Sequence, residues 1–302
     1  MDKLLKQIEE KYHKLDQSPR TYLEGFLHEK PINYWDYIEV DTLLTLQKPR
    51  TYFADETVFI MYHQITELVL KLMIHELKQI TEPDMKDATE IALKLGRLQR
   101  YTELLTNSFS IMNQGMKYED YNQFRMTLAP ASGFQSAQFR IIEIYCTNIN
   151  NLIPHSRKSL VKGDTTLAEK FQLIYWQDAG YDRQTGKKSL TLQQFEKRYL
   201  KEFIELADEM KYHNLDSKFT QMLAEGLITE ELKTAFRDFD RQYNITWPMV
   251  HLNTAHTYLG KGQGEKAATG GSHWEKYLHP KYQQRIFFPS AWTSEEIENW
   301  GQ

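Results

Sequence analysis

The sequence contains a single cysteine, Cys146, among its 302 residues. An intrachain disulfide needs two cysteines, and a structural zinc site built from cysteines needs more than one, so the composition excludes both. The scarcity of cysteine is compatible with a reducing compartment, and we therefore expect a cytoplasmic protein.

Long hydrophobic runs and an excess of charge of one sign are also missing. The net charge is -4, with 37 basic and 41 acidic residues, and this balance favours neither nucleic acid nor an anionic membrane as a partner. The longest apolar run, VLKLMI starting at Val69, is interrupted by Lys71 and is too short to cross a bilayer. The first residues, MDKLLKQIEEKYHKL, are charged throughout and do not form a signal peptide. We therefore expect no nucleic-acid or membrane partner.

Signals for β-strands are nearly absent, whereas helical periodicity is found along most of the chain. It is strongest at 55–80, which is apolar on nearly all sides and is therefore predicted to lie in the middle of the fold. Pro248 is predicted to kink or start a helix just before His251. Further helices are predicted at 3–17, 36–47, 85–112, 134–150, 189–211 and 229–259.

No internal repeat or low-complexity tract divides the chain. Its length is within reach of one large domain. We therefore predict one all-α domain over residues 1–302, beginning with a helical arm at 1–30.

One bend between predicted helices has an unusual composition. Residues 128–140 are LAPASGFQSAQFR, in which six small or bending residues precede a helix. Such a stretch forms a plain turn, or it lets a large flat group approach the backbone near Ser132 and Gly133. Composition alone leaves both interpretations open.

Two histidines are candidates for chemistry. His63 lies inside the apolar helix, one turn after Phe59, although a lone buried histidine is more often a core residue. His251 and His256 are five residues apart, which places them about 140° apart around a helix and excludes a paired metal motif. The metal role that needs only one histidine is that of an axial ligand to haem iron. A capped or solvent-facing His251 is the alternative.

Tyr121 and Arg125 lie one helical turn apart. An arginine suits bidentate binding of a carboxylate, although a surface arginine whose stem packs on the tyrosine is more common. The glycine-rich segment 260–273, GKGQGEKAATGGSH, lacks the GxxxxGK[ST] order, so a nucleotide-binding loop is rejected. A mobile lid over 260–274 and an idle loop are the remaining interpretations.

Taken in order, these segments resemble the tryptophan 2,3-dioxygenase family of all-α haem enzymes. The family pattern has an F-x-x-x-H-Q element, then Y-x-x-x-R running into P-[AS]-S-G-F-Q-S, then a histidine before a G-T-G-G-S loop. This chain has FIMYHQ at 59–64, YNQFR at 121–125, PASGFQS at 130–136, His251 nine residues before Gly260, and TGGS at 269–272. The resemblance covers roughly residues 30–300.

The resemblance implies a haem b cofactor. His251 would be the axial ligand of the haem iron. His63 would accept a hydrogen bond from the indole N–H of the substrate, and Phe59 would pack against its ring. Ser132 and Gly133 would line the haem.

The same resemblance implies the binding of L-tryptophan. Arg125 would pair with its carboxylate with help from Tyr121, and Thr269 would contact its amino and carboxylate end. Tyr34 and Tyr37, within YWDYIEVDTLL, match a family segment that reaches into a neighbouring subunit. The implied assembly is a homotetramer in which this N-terminal segment is exchanged between subunits.

The implied reaction inserts both atoms of O₂ across the C2–C3 bond of the indole to give N-formylkynurenine. The chain departs from the family pattern in its lid. The segment between Gly260 and Thr269 is four residues longer than in the family pattern. Ala268 replaces a glycine, and His273 and Trp274 stand where the family has serine and glycine. This departure keeps open a haem-dependent oxygenase of another indole or aromatic amino acid, a non-catalytic haem-binding protein, and a helical interaction protein without a cofactor.

Overall fold

A computed structural model of the chain describes residues 1–181, 186–259 and 278–302. Across these ranges the fold is helical and contains no β-strand, which confirms the all-α prediction. One isolated antiparallel bridge pairs Tyr181 with Lys188.

The longer helices are α1 Asp2–His13, α2 Pro19–Phe26, α3 Ala54–Ile80, α4 Ala88–Gly115, α5 Tyr118–Phe124, α6 Ala137–Cys146, α7 Leu190–Glu209, α8 Leu215–Ala224, α9 Glu230–Arg241 and α10 Trp247–Leu259. Shorter helical turns are found at Tyr34–Tyr37, Val40–Leu43, Arg125–Thr127, Gly133–Gln135, Ile149–Leu152, His155–Lys158, Leu167–Phe171, Tyr175–Gly180, Met210–Tyr212, Pro280–Gln283, Pro289–Ala291 and Ser294–Glu298. A π-helix, Gln242–Thr246, lies between α9 and α10.

The chain divides into two compact units, Met1–Lys48 and Pro49–Gln302. The helices of the first unit contain no buried residue. The predicted helix at 36–47 is wrong as a single element, because Glu39 adopts a left-handed backbone conformation (φ 54°) that separates two short turns. The single domain over 1–302 with an arm at 1–30 stays a prediction.

The core of the second unit is built around α3, which packs against α4 and α6. Met73 and Leu77 of α3 are fully buried, and a buried ion pair joins Glu76 to Lys94 of α4 at 3.2 Å. Cys146, at the end of α6, is fully buried, and burial raises the pKa of its thiol well above the ordinary value. The burial of Met73, Glu76 and Leu77 confirms the predicted central position of α3 for one side of this helix.

The opposite side of α3 is exposed, so the helix is not enclosed as its composition predicts. Met61, Ile65, Leu68 and Leu72 are each between 42% and 49% exposed. Their spacing of four, three and four residues places them on one face. We call these four residues the apolar stripe.

By length and composition, α3 is able to cross a membrane, with a mean hydropathy of 1.3 over 18 residues. The sequence-based expectation of no such segment considered only the run at Val69, whereas the whole helix is 27 residues long. A core helix of a water-soluble protein passes the same test. The helix also carries the buried, ion-paired Glu76 and the exposed Lys71 and Lys78, which suit a helix packed in a protein.

The predicted helix at 229–259 is interrupted by the π-helix. The Trp247 N–H donates to the carbonyl of Gln242, five residues earlier. Pro248 follows at once, and because it has no N–H it cannot donate to the carbonyl four residues before it. Helix α10 therefore begins at Trp247 as Pro248 predicts, and the wide turn before it sets the direction in which His251 projects.

Candidate functional site

The second unit contains a mainly apolar cavity with a volume of about 160 Å³. Helices α3, α4, α6 and α10 and the turn at Gly133–Gln135 contribute to its wall. The polar side chains in this wall include His63, Thr66, Glu67, Arg140, His251 and Arg285.

His63 projects from α3 into the cavity with a defined tautomer. Its Nδ1 lies 2.8 Å from the carbonyl oxygen of Phe59. Because a carbonyl only accepts, Nδ1 carries the hydrogen in this contact and Nε2 of the neutral ring carries a lone pair. Burial lowers the pKa of His63, although the nearby Glu67 carboxylate opposes this shift, so the ring is neutral at pH 7.

His251 projects from α10 into the same cavity. Its exposed surface faces the cavity, and the surrounding protein removes water from the ring, so desolvation lowers its pKa to about 4, helped by His63. Phe109 stacks on the ring with 5.2 Å between centroids. No residue in the described ranges forms a hydrogen bond with its ring nitrogens. His251 is therefore a neutral imidazole with a lone pair available to a metal.

A line of contacts leads from His63 to Arg125. The rings of Phe59 and His63 are 4.1 Å apart, and those of Phe59 and Tyr121 are 6.0 Å apart. Burial raises the pKa of Tyr121, the positive charge of the neighbouring Arg125 opposes this shift, and Arg125 is buried with a relative exposure of 7%. The structure thus brings together Phe59, His63, Tyr121 and Arg125. It excludes the alternative of a surface arginine.

The small-residue bend is held against α7. The hydroxyl of Thr191 donates to the carbonyl of Pro130 at 2.8 Å, and the side chain of Gln135 donates to the carbonyl of Thr191. Gly133 lines the cavity, and a Cβ built on it meets no atom within 4 Å. Packing of the protein itself therefore does not require glycine at this position.

Ser132 lies next to Gly133 in the small-residue bend. Its hydroxyl accepts a hydrogen bond from the N–H of Phe134, and Gln135 accepts one from the Ser132 N–H, forming a capping box. It does not belong to the cavity wall, whereas Ser136 does. The structure therefore supports Ser132 as a residue that fixes the backbone beside Gly133.

Several predicted residues lie elsewhere. Tyr34 and Tyr37 belong to the first unit and are 72% and 75% exposed. Thr269 and the predicted lid at 260–274 fall outside the described residues. His256 is exposed and does not line the cavity.

Sequence reasoning missed part of the wall. Arg140 ends the motif quoted above, yet a charged residue on an apolar helix face was not considered a signal. Arg285 precedes an aromatic segment that carried no chemical pattern. Phe109 and Trp247 are ordinary core aromatics by sequence, so only the fold identifies them as neighbours of the site.

The two missed arginines belong to one buried cluster. Nη1 of Arg285 donates to Oε1 of Glu143 at 2.7 Å and to the hydroxyl of Tyr175 at 2.8 Å. Nη1 of Arg140 donates to the same hydroxyl at 2.6 Å and lies 3.4 Å from Glu143. The Tyr175 hydroxyl itself donates to Glu143. Two guanidinium groups therefore share one carboxylate.

The site is a mainly apolar cavity between two helices, each of which contributes one neutral histidine, and these donors suit a group that takes a single histidine as its protein ligand. Among the residues described, no group of three or more histidine, cysteine or acidic side chains is able to hold a metal ion. A single histidine completed by a macrocycle fits this donor set. The open space beside Gly133 fits a flat group.

Comparison with known proteins agrees with this description of the site. A family model described as tryptophan 2,3-dioxygenase matches residues 26–178. Proteins named tryptophan 2,3-dioxygenase are similar over nearly the whole chain. The one from Bacillus thuringiensis is 30% identical over 92% of this chain and 98% of its own length, and the one from Geobacillus thermodenitrificans is 28% identical over 90% and 95%. The chain belongs to the tryptophan 2,3-dioxygenase family.

Proposed function

We propose that the chain is a haem-dependent dioxygenase that opens the indole ring of L-tryptophan with O₂ to give N-formylkynurenine. The observation that carries the proposal is the placement of His63 and His251 on one cavity, with Phe59, Tyr121 and Arg125 extending from His63. Family membership supplies the reaction.

The cofactor of this proposal is haem b. His251 would hold the iron through a ring nitrogen, because desolvation keeps its imidazole unprotonated. Phe109 would fix the plane of the ring by stacking. Haem iron supplies the O₂ chemistry that amino-acid side chains lack.

His63 would orient the indole. Its Nδ1–H is engaged with Phe59, so its Nε2 lone pair is free to accept a hydrogen bond from the indole N–H. Phe59, whose ring touches that of His63, would pack against the indole. Together these contacts would hold the C2–C3 bond in one orientation and exclude water from it.

Arg125 would bind the carboxylate of the substrate. A buried guanidinium makes stronger charge-assisted hydrogen bonds than an exposed one, because water does not compete. The neighbouring Tyr121 would help to hold it in position. Thr269, outside the described residues, is proposed to contact the amino and carboxylate end.

The proposed assembly is a cytoplasmic homotetramer. The apolar stripe supports self-association, since an exposed row of aliphatic side chains favours another copy of the chain. The exposure of Tyr34 and Tyr37 fits residues that complete the pocket of a neighbouring subunit.

The lid sequence supports a second candidate within the family, an oxygenase of another indole or aromatic amino acid. A tryptophan at position 274 in place of glycine does not adopt a left-handed backbone cheaply. Turnover products distinguish the two candidates. Tryptophan that gains two oxygen atoms supports the dioxygenase, and a gain of one supports the alternative.

The decisive experiment combines a spectrum with turnover. The purified full chain loaded with haem is expected to have a Soret band and, after reduction, to convert tryptophan in air into a product heavier by two oxygen atoms. His251→Ala is expected to lose the Soret band, whereas the matched variant His256→Ala keeps it. A Soret band that persists in His251→Ala would contradict the assignment, and absence of turnover would favour a non-catalytic haem protein.

A further inference from the structure

The end of α4 and the start of α5 are joined by a junction of two residues, Met116 and Lys117. Helix α5 carries Tyr121, and Arg125 follows directly after this helix. The direction of the junction therefore determines where the guanidinium of Arg125 lies relative to the cavity. Side chains that hold the junction act on substrate binding without touching the substrate.

Tyr258 of α10 holds one side of this junction. Its hydroxyl donates a hydrogen bond to the carbonyl of Met112 and lies 3.2 Å from the carbonyl oxygen of Met116. Carbonyl groups at the end of a helix lack an N–H partner further along the helix, so a side-chain donor there stabilises a buried polar group. Tyr258 is 4% exposed, and burial raises the pKa of its phenol, so the hydroxyl stays protonated as a donor.

The ring of Tyr258 also contacts α5. Its centroid lies 4.8 Å from that of Tyr121 and 6.4 Å from that of Tyr118, on which it stacks. Tyr258 follows His251 by seven residues, which is nearly two helical turns, so both side chains project from one face of α10. The helix that contributes His251 to the cavity therefore also contacts the segment that leads to Arg125.

Asp55 holds the other side of the junction. Its Oδ2 accepts a hydrogen bond from the N–H of Lys117 at 2.7 Å. Lys117 directly precedes α5, so its N–H is one that the helix itself leaves without a carbonyl. Asp55 lies in the first turn of α3, the helix that carries Phe59 and His63. The start of α5 is thus attached to both helices that contribute a histidine to the cavity.

We propose that Tyr258 and Asp55 are positioning residues that set the place of Arg125 for the carboxylate of the substrate. The inference rests on the proposed function, because that function gives Arg125 its ligand. Both residues act through the backbone, since the anchors on α10 and α3 fix the residues before α5, and α5 carries the guanidinium to one place. A displaced guanidinium loses part of its paired hydrogen bonds with a carboxylate, because their geometry is narrow.

A selective loss of tryptophan binding tests the proposal. Tyr258→Phe keeps the ring and removes the hydroxyl. The haem-loaded variant and the unmodified chain are titrated with tryptophan and with tryptamine, which lacks the carboxylate, and binding is followed by the Soret band. We expect the affinity for tryptophan to fall about 3- to 10-fold and the affinity for tryptamine to stay the same. The matched control is Tyr145→Phe, which removes the hydroxyl of a buried tyrosine away from the cavity wall and should change neither affinity.

A double-mutant cycle shows whether Tyr258 acts through Arg125. The Arg125→Met background has no guanidinium to position, so Tyr258→Phe should weaken tryptophan binding no further there. A further loss of the same size would mean that Tyr258 acts independently of Arg125, and it would overturn the proposal. In the single variant Tyr258→Phe, equal losses for tryptophan and tryptamine, or an unchanged affinity for tryptophan, would overturn it as well.

Asp55 keeps the test decisive if Tyr258→Phe does not fold. The hydrogen bond between Asp55 and Lys117 is exposed to solvent, so its removal leaves no buried group without a partner. Asp55→Ala should weaken the binding of tryptophan but not that of tryptamine. Asp55→Asn should restore it, because the amide oxygen still accepts from the Lys117 N–H. Equal affinities of these two variants for tryptophan would overturn the positioning role of Asp55.

Hydrogen exchange of the full chain, with and without haem, separates this proposal from the proposed function. Tyr258→Phe and Asp55→Ala should speed exchange of the amides of α5 and leave those of α7 unchanged. Unchanged exchange in α5 would overturn the positioning role whatever the ligand. Failure of the unmodified chain to bind tryptophan, with faster exchange in α5 of the variants, would overturn the proposed function while the anchoring of α5 stands.

Discussion

Arg125 is the buried arginine to which the proposed function assigns the carboxylate of the substrate. Arg125→Met should weaken tryptophan binding by about 10- to 150-fold, because a charge-assisted hydrogen bond contributes about 1.5–3 kcal/mol. Tryptamine, which lacks the carboxylate, should bind the variant and the unmodified chain with similar affinity. Equilibrium titration of the haem-loaded protein with both ligands measures the difference.

The control for Arg125→Met is Arg198→Met, which removes an arginine that lies over Tyr199 on another helix. It should bind both ligands normally. If Arg125→Met loses affinity for tryptophan and tryptamine equally, the guanidinium does not recognise the carboxylate.

Asp216 predicts a pH dependence of stability. Burial and then the nearby Asp240 raise its pKa from 3.8 to about 7, against a hydrogen bond from Asn151. Between about pH 4 and pH 7 the folded chain therefore binds more protons than the unfolded chain, and this group lowers stability as the pH rises through that window. Above pH 7 the ionised Asp216 lowers the stability of the folded chain by its full amount.

Asp216→Asn removes this penalty, since the amide stays neutral and its oxygen still accepts a hydrogen bond from Asn151. The variant should be more stable than the unmodified chain by about 1–2 kcal/mol at pH 8, because partial exposure and the nearby start of α8 reduce the gain. The difference should vanish near pH 4. Urea unfolding at several pH values measures it, and parallel pH profiles would contradict the assignment.

Alanine substitutions at two glycines in different elements are expected to affect the stability of the apoprotein differently. A Cβ at Gly180 would lie 2.6 Å from Cδ2 of Leu192, which is fully buried in α7, whereas one at Gly133 meets nothing within 4 Å. Gly180→Ala should therefore destabilise the apoprotein by about 1–3 kcal/mol. Gly133→Ala should leave its stability unchanged or slightly higher and should weaken haem binding, because the flat group needs that space.

Urea unfolding of both apoproteins and Soret titration of Gly133→Ala test this pair. Unimpaired haem binding in Gly133→Ala would show that the bend is small for another reason. Truncation of Leu192 to alanine should relieve part of the cost of Gly180→Ala, as a double-mutant cycle reveals.

At the scale of elements, the sequence predicts what depends on local pattern. The long periodic helix α3 agrees with its prediction. The break at Glu39 and the π-helix before Pro248 were missed, because a left-handed residue or a widened turn leaves apolar spacing nearly unchanged.

Contacts within the site are likewise predictable from the sequence only where they depend on local spacing. Phe59 and His63, like Tyr121 and Arg125, lie one turn apart, so their proximity is predictable. Arg285 reaches the cavity through packing between distant segments, and no spacing in the chain reports that.

At the scale of the whole molecule, the apolar stripe on α3 predicts self-association. Leu68→Glu places a charge in the middle of that face, and burying it against another copy is unfavourable. The variant should dissociate into smaller species, with a dissociation constant raised at least about 10-fold. Light scattering after size-exclusion chromatography measures the mass.

The matched control for Leu68→Glu is Leu223→Glu, because Leu223 is exposed to a similar extent, 46% against 49%, on α8. It should keep the oligomeric state of the unmodified chain. A monodisperse monomer for the unmodified chain would contradict self-association, and binding to lipid vesicles that Leu68→Glu abolishes would assign the stripe to a membrane.

Because Cys146 is buried, the native chain should be unreactive towards thiol reagents. A thiol without solvent contact and with a raised pKa presents no thiolate to an alkylating probe until the core opens. Its labelling rate is therefore a direct measure of global opening. A cysteine introduced on the surface would be the only reactive thiol of the folded protein, so a spin label or fluorophore attached there would report distances between copies without prior removal of any native residue.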